Sequence, residues 1–226
     1  MLETNITKST FQFLNKLKNN NNREWFTEHK AEFKAEETKV KSFFNYMLDN
    51  LKKHDEIERL KIFRIYRDVR FSKNKTPYKT HFSASFTRAG KHRRGGYYLQ
   101  IAPGNSFIAT GFWNPEKEDL LRIRKEWEID TAELTNVIND KKFKSIWGEL
   151  VGDELKTAPK GFDKEDSNIK FIRKKQFIFV KNFTDKEVLS ADFAAMVNES
   201  FIAIRPYFDL MSSILTTNLN GESLLD

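Results

Sequence analysis

Between Lys61 and Phe82 the chain reads KIFRIYRDVRFSKNKTPYKTHF, and no other stretch gathers as many side chains able to hold an anion. Arg64, Arg67, Asp68 and Arg70 come first, followed by Lys73, Lys75, Tyr78, Lys79 and His81. A guanidinium offers a planar fork that meets carboxylate or phosphate oxygens two at a time, and an ammonium adds a compact charge. Arg64, Arg67, Arg70, Lys75 and Lys79 are therefore candidate anion ligands. Asp68 stands two residues before Arg70 and four after Arg64. Cations beside a carboxylate lower its pKa, which suits Asp68 to orienting guanidinium groups and makes it a poor general base near neutral pH. Tyr78 and His81 are the candidates for proton transfer. A histidine with a reference pKa of ~6.5 in so basic a setting should be pushed down and stay neutral. The same residues admit a bland reading, in which an arginine–aspartate ladder fixes a sheet and His81 is an ordinary strand-edge histidine.

The charge distribution favours an anionic partner. The net charge of the 226 residues is +7, but residues 61–98 hold eleven Lys and Arg against the single acid Asp68. The rest of the chain has 28 basic and 31 acidic residues, a net of −3. A local excess on a nearly balanced body marks a place for something negative. Part of that excess forms a second cluster: Arg88, Lys91, His92, Arg93 and Arg94, close to Tyr97 and Tyr98. A basic turn beside aromatic rings could follow a nucleic-acid backbone and stack bases, or it could be a solvated hairpin tip.

These groups need elements to position them. From Ile62 the apolar period becomes two, which predicts a strand to Phe71. Phe63, Ile65, Arg67, Val69 and Phe71 share one face, and Arg64, Tyr66, Asp68 and Arg70 the other. Arg67 thus falls on the apolar side, where an unpaired charge costs several kcal/mol and needs a partner. Further strands are expected at residues 81–88, 97–102, 106–113 and 176–183, with turns at Gly95-Gly96 and Pro103-Gly104-Asn105. Helical spacing predicts a helix capped by Thr10, a second from about Asn22 to Lys53 with His29 at the core edge, and a third opening at Asn114-Pro115. A fourth runs from Thr131 to Trp147, in two pieces. Thr184–Glu187 reads as a capping box, and a last helix from Ala191 to Leu215 should kink or restart at Pro206. The four consecutive asparagines, Asn19–Asn22, read as a connector. The expected fold is α+β: a mainly antiparallel sheet with helices on one face, in a single domain over residues 1–226.

The run from Arg64 to Tyr78 resembles the signature of a largely bacterial family catalogued as domain-of-unknown-function family 2461, with the pattern RxxRDxRF, then Asp or Asn with Lys, then Tyr. The Asp-or-Asn position is Asn74 here, which argues against an essential carboxylate at that point. Residues 21–26 (NNREWF), 95–99 (GGYYL) and 159–163 (PKGFD) are also similar to the family, so the resemblance covers nearly the whole chain. It implies no activity.

Other chemistries find little support. Cysteine is absent, which removes disulfides, thiol nucleophiles and thiolate zinc sites and fits a reducing compartment. There is no phosphate loop, dinucleotide fingerprint, nucleophile elbow or HExxH pair, and four scattered histidines make a weak metal case. No cofactor or metal is therefore expected. The opening residues show no signal-peptide pattern, and no apolar run approaches the ~20 residues needed to cross a bilayer, so a cytoplasmic location with no membrane partner is the expectation. The leading reading is a basic anion-binding pocket for a phosphate-bearing ligand, a nucleotide or nucleic-acid end, with Arg64, Arg70 and Lys75 as its main ligands. The rivals are a non-catalytic nucleic-acid-binding module that uses residues 73–98 as an electrostatic face, with Arg88, Lys91, Arg93, Arg94 and Tyr97 in it, and a structural or protein-interaction domain whose arginine ladder only specifies the fold.

Overall fold

A computed structural model describes residues 4–225. Five strands, β1 (Ile57–Ile62), β2 (Phe82–Arg88), β3 (Gly96–Ile101), β4 (Ser106–Phe112) and β5 (Phe177–Phe183), form one antiparallel sheet in that order. The helices around it are α1 (Lys8–Asn19), α2 (Arg23–Glu28), α3 (Lys30–Leu51), α4 (Lys117–Ile129), α5 (Ala132–Asn139), α6 (Lys141–Trp147), α7 (Ile169–Ile172), α8 (Asp185–Val188), α9 (Phe193–Ala203) and α10 (Arg205–Thr216). The fold is α+β.

Contacts divide the chain into two compact units. The first takes in the chain up to Phe86, with Tyr98–Ile108 and Asn182–Glu199; the second takes in Thr87–Tyr97, Ala109–Lys181 and the chain from Ser200 on. In the first, Phe13, Phe26, Phe33, Phe43 and Phe44 from α1, α2 and α3 build an aromatic core, joined by Phe82 of β2 and Phe193 of α9. In the second, Trp127, Phe171 and Phe177 meet edge to face, as do Phe143, Phe179 and Tyr207. The heavy use of Phe thus goes into cores, where edge-to-face packing adds to the gain from burial.

Several boundaries differ from expectation for identifiable reasons. Helix α1 starts after Thr7, so Thr10 lies inside it and does not cap it: the Thr10 hydroxyl is buried and donates to Glu36 Oε2 at 2.7 Å. Burial alone would raise the Glu36 carboxyl, but Lys39, Thr10 and Ser9 together hold it below its usual range. The long helix expected from Asn22 breaks at His29, whose φ of −99° and ψ of 16° leave the helical region. The His29 ring stacks on Trp25 at 4.0 Å, and its Nδ1 donates to the Trp25 carbonyl at 2.9 Å. Helix α4 begins at Lys117, so Asn114 does not cap it. The Thr184–Glu187 capping box forms, and Pro206 opens α10 after a break.

The largest correction concerns residues 62–71. The regular strand lies earlier, at Ile57–Ile62; the Phe63 amide makes one more bond across to the Ser83 carbonyl of β2 at 2.9 Å, and the chain to residue 81 then forms an irregular arm between β1 and β2. Its two legs still pair: the Lys79 amide donates to the Ile65 carbonyl at 2.7 Å, the Arg67 amide to the Pro77 carbonyl at 2.9 Å, and Tyr66 bridges Tyr78. The expected alternation survives in most of this arm. Ile65 is buried and Phe63, Arg67 and Val69 half-buried, while Arg64, Tyr66, Asp68 and Arg70 are exposed. Phe71 breaks the pattern, at 96% exposure.

Candidate functional site

The arm is held from the helical side by a residue the sequence left anonymous. The Asn21 side chain donates to the Tyr78 carbonyl at 3.0 Å and accepts from the Tyr78 amide at 3.1 Å, so it replaces a strand neighbour for that peptide. The buried Tyr78 ring stacks on Phe26 at 3.9 Å, with Tyr66 5.4 Å away. Burial pushes the Tyr78 phenol above its ordinary value, helped by Tyr66 and opposed by Arg23. Tyr78 is therefore an anchor of the arm and keeps its proton at neutral pH.

The tip of the arm is tied to itself. Arg70 grips Asp68 through two bonds, Nε to Oδ1 at 3.0 Å and Nη2 to Oδ2 at 2.7 Å, and its amide also donates to Oδ1. The Arg70 guanidinium and amide, with a smaller effect from Arg64, hold the Asp68 carboxyl below the usual carboxylate range. Lys75 Nζ donates to the Val69 carbonyl at 3.0 Å, and Asn74 accepts from the amide and hydroxyl of Thr76. Arg67 finds neutral partners: Thr76 Oγ1 at 2.7 Å and Ser72 Oγ at 3.4 Å. Asp68 thus orients Arg70 by contact and reaches Arg64 only through charge.

The base of the arm is different. Among the described residues, Lys61, Arg64, Arg67 and Lys79 have no carboxylate partner. The ammonium groups of Lys61 and Lys79 both lie over the Phe63 ring, 5.1 Å and 5.2 Å from its centre. Burial, and then the charges of Arg64 and Lys61, lower the Lys79 pKa. The half-buried His81 falls to about 4 through burial, with Lys79 and Arg67 adding to the effect. His81 is neutral at physiological pH, as expected, and its imidazole can donate one hydrogen bond and accept another. Like charges gathered without a counter-charge lower one another's stability until an anion arrives.

Arg64, Arg67, Lys79 and His81 are therefore brought together at the base of the arm, Arg70 and Lys75 are engaged at its tip, and Tyr78 lies inside. Sequence reasoning passed over Lys61 and Phe63 as site residues and took Asn21 for connector. The basic signal reached Lys61, and the family-like stretch at residues 21–26 began at Asn21, but no local pattern tied that side chain to Tyr78. Neither of two clefts in the second unit, about 270 Å³ around Ile138 and Phe171 and about 460 Å³ around Phe143 and Pro206, is lined by arm residues. Lys61 and Arg64 are exposed, and Arg67 and Lys79 are half-buried.

The second basic cluster meets another fate. Arg88 is 3% exposed, sits over the Phe208 ring at 4.9 Å, donates to the Arg94 carbonyl at 2.7 Å and lies 3.8 Å from Asp209. Arg94 pairs with Asp119, and its amide donates to Ser212. Tyr97, at 1% exposure, packs on Phe201 and Phe208. Gly95 has φ of +89°, and a Cβ there would lie 2.6 Å from the Phe208 ring. Lys91 and His92 are exposed; Arg93 is half-buried and meets the His92 ring. Arg88, Arg94 and Tyr97 thus hold the β2–β3 turn against α4 and α10, and they do not present the face of cations and rings that the sequence suggested.

Among the described residues, no group of three or more His, Cys, Asp or Glu is placed to hold a metal ion, and no helix is long and apolar enough to cross a membrane. No curated protein and no solved structure matches the chain. The sequence profile of one family matches residues 9–210, and it is the family that the Arg64–Tyr78 run resembles. The chain belongs to the conserved hypothetical protein family DUF2461.

Proposed function

We propose that the base of the 63–81 arm is a binding surface for a phosphate-bearing ligand, a nucleotide or a nucleic-acid end. One observation carries this reading: Lys61, Arg64, Arg67 and Lys79 come together with no carboxylate partner among the described residues. Some cations elsewhere do find an acid, as in Lys16–Glu32, Lys39–Glu36 and Arg122–Glu126. An anion at the arm would relieve the mutual repulsion and bring charge-assisted hydrogen bonds. Arg64, exposed and without a hydrogen bond or ion pair among the described residues, would make first contact, and Lys61 and Lys79 would hold the anion beside Phe63. Arg67 would support the arm through Thr76 and Ser72 and lend its charge. Neutral His81 would offer a hydrogen bond to a phosphate oxygen, and it is the group through which a proton could move.

The test is a thermal-shift panel at low salt with inorganic phosphate, pyrophosphate, nucleoside monophosphates and a 5′-phosphorylated oligonucleotide. At least one should raise the Tm of the parent and fail to raise that of Arg64→Ala or Lys79→Gln. No stabilisation by any member, or equal stabilisation of all three proteins, overturns the reading.

A further inference from the structure

The proposed phosphate site adjoins a second feature that no charge argument requires. Side chains of successive strand residues point to opposite faces. In β3, Tyr97 packs on Phe201 and Phe208, so Tyr98 turns to the other face. There the Tyr98 ring lies 6.1 Å from Phe63 and 5.6 Å from Phe107 of β4. Phe63, Tyr98 and Phe107 are all half-buried, neither sealed in a core nor fully exposed. The Phe63 ring carries the two ammonium groups, which leaves Tyr98 and Phe107 as the free end of the row. The Tyr98 hydroxyl donates to Gln100 Oε1 at 3.1 Å, and the Gln100 amide donates to the Asn105 carbonyl at 3.0 Å. These bonds hold the ring in place and cover its polar end. The tilt between Tyr98 and Phe107 is 36°, so a planar group stacked on Tyr98 would meet Phe107 at an angle.

Resting on the phosphate-binding reading, we propose that Tyr98 and Phe107 form a platform for a nucleobase and that the ligand is a base-bearing phosphate. Its phosphate is held at Lys61, Arg64 and Lys79, and its base lies on Tyr98 and Phe107. The ribose would span the Phe63 region, beside His81. Stacking needs no particular base, since each has a π-face, and it discriminates base-bearing from base-free phosphates. The shared chemistry is found in a free mononucleotide and in the phosphorylated end of a nucleic acid.

Calorimetric titrations separate these cases. The probes are adenosine 5′-monophosphate, ribose 5-phosphate, and a dinucleotide carrying a 5′-phosphate. The mononucleotide should bind roughly tenfold or more tightly than ribose 5-phosphate, as expected for one stacked base. Tyr98→Leu should abolish that preference while leaving ribose 5-phosphate binding unchanged, and Lys79→Gln should weaken both. Phe107→Leu provides the same comparison if circular dichroism shows Tyr98→Leu to be unfolded. A dinucleotide that binds at least tenfold better than the mononucleotide identifies a nucleic-acid end as the source; equal binding identifies a mononucleotide. Equal affinity for mononucleotide and ribose 5-phosphate, or a preference that survives both ring substitutions, overturns the platform and leaves the phosphate site standing. Failure of every probe to bind removes both.

Discussion

The arm at residues 63–81 and the turn at residues 88–97 look alike in sequence and opposite in structure. Both are short, basic and aromatic. At the turn, Arg94 has found Asp119, and Arg88 has Phe208, a carbonyl and Asp209 nearby. Tyr97 has become core. At the base of the arm, Lys61, Arg64, Arg67 and Lys79 have found rings, hydroxyls and one another. A run of positive charge therefore says little until the acids that answer it are known. Charges already answered stabilise a fold; charges left unanswered, at the cost of mutual repulsion, are where a ligand has something to gain.

Substitutions can break this contrast, starting with the turn. Arg88→Ala removes a buried side chain, opens a cavity over Phe208 and strands the Arg94 carbonyl, so it should lower stability by about 3 kcal/mol in urea denaturation. A loss below ~1 kcal/mol would mean the turn is as loosely held as the arm. Next, Gly95→Ala combines a left-handed backbone with a Cβ pressed into Phe208 and should cost about 2 kcal/mol by the same measurement.

At the arm the effects are smaller and depend on pH. The folded-state pKa of His81, about 4, lies below its ordinary 6.5, so the unfolded chain binds the extra proton first. Its contribution to stability is full above pH ~6.5 and is lost as pH falls towards ~4. The ceiling is about 3 kcal/mol, and about half that is expected at a half-buried group partly screened by water. Stability curves of the parent and His81→Gln should therefore diverge in that window and nowhere above it. Parallel curves would show that His81 is not desolvated among cations. Smallest of all, Arg64→Ala should change stability by less than ~0.5 kcal/mol, because an exposed side chain without a partner holds nothing together. A larger loss would move Arg64 to the structural class of Arg88.

The sequence already told much of this where the signal is local. Repeated apolar spacing gives most of the helices, Pro206 marks the start of α10, and the Thr184 capping box depends on residues three apart. Period-two patterning gives β2 to β5 to within a residue or so. It failed at residues 62–71, because alternation records which side of a segment faces the core and not whether a neighbouring strand completes the ladder. The strand β1, IERLKI, was missed because its charges interrupt both of its faces. The site was half visible: composition marks the cations, but Asn21 closing on Tyr78 and Asp119 closing on Arg94 bridge 57 and 25 positions of chain. Partners that far apart meet only through tertiary packing, and a single sequence does not encode that meeting in any local pattern.

Backbone amide spectra recorded during a pyrophosphate titration compare the two regions in one experiment. If the unanswered charges at the base of the arm are an anion site, saturable shifts should appear at residues 61–67 and 79–81 and should be lost in Arg64→Ala, while residues 88–97 stay still. Shifts centred on residues 88–97, or no saturable shift anywhere, would contradict it.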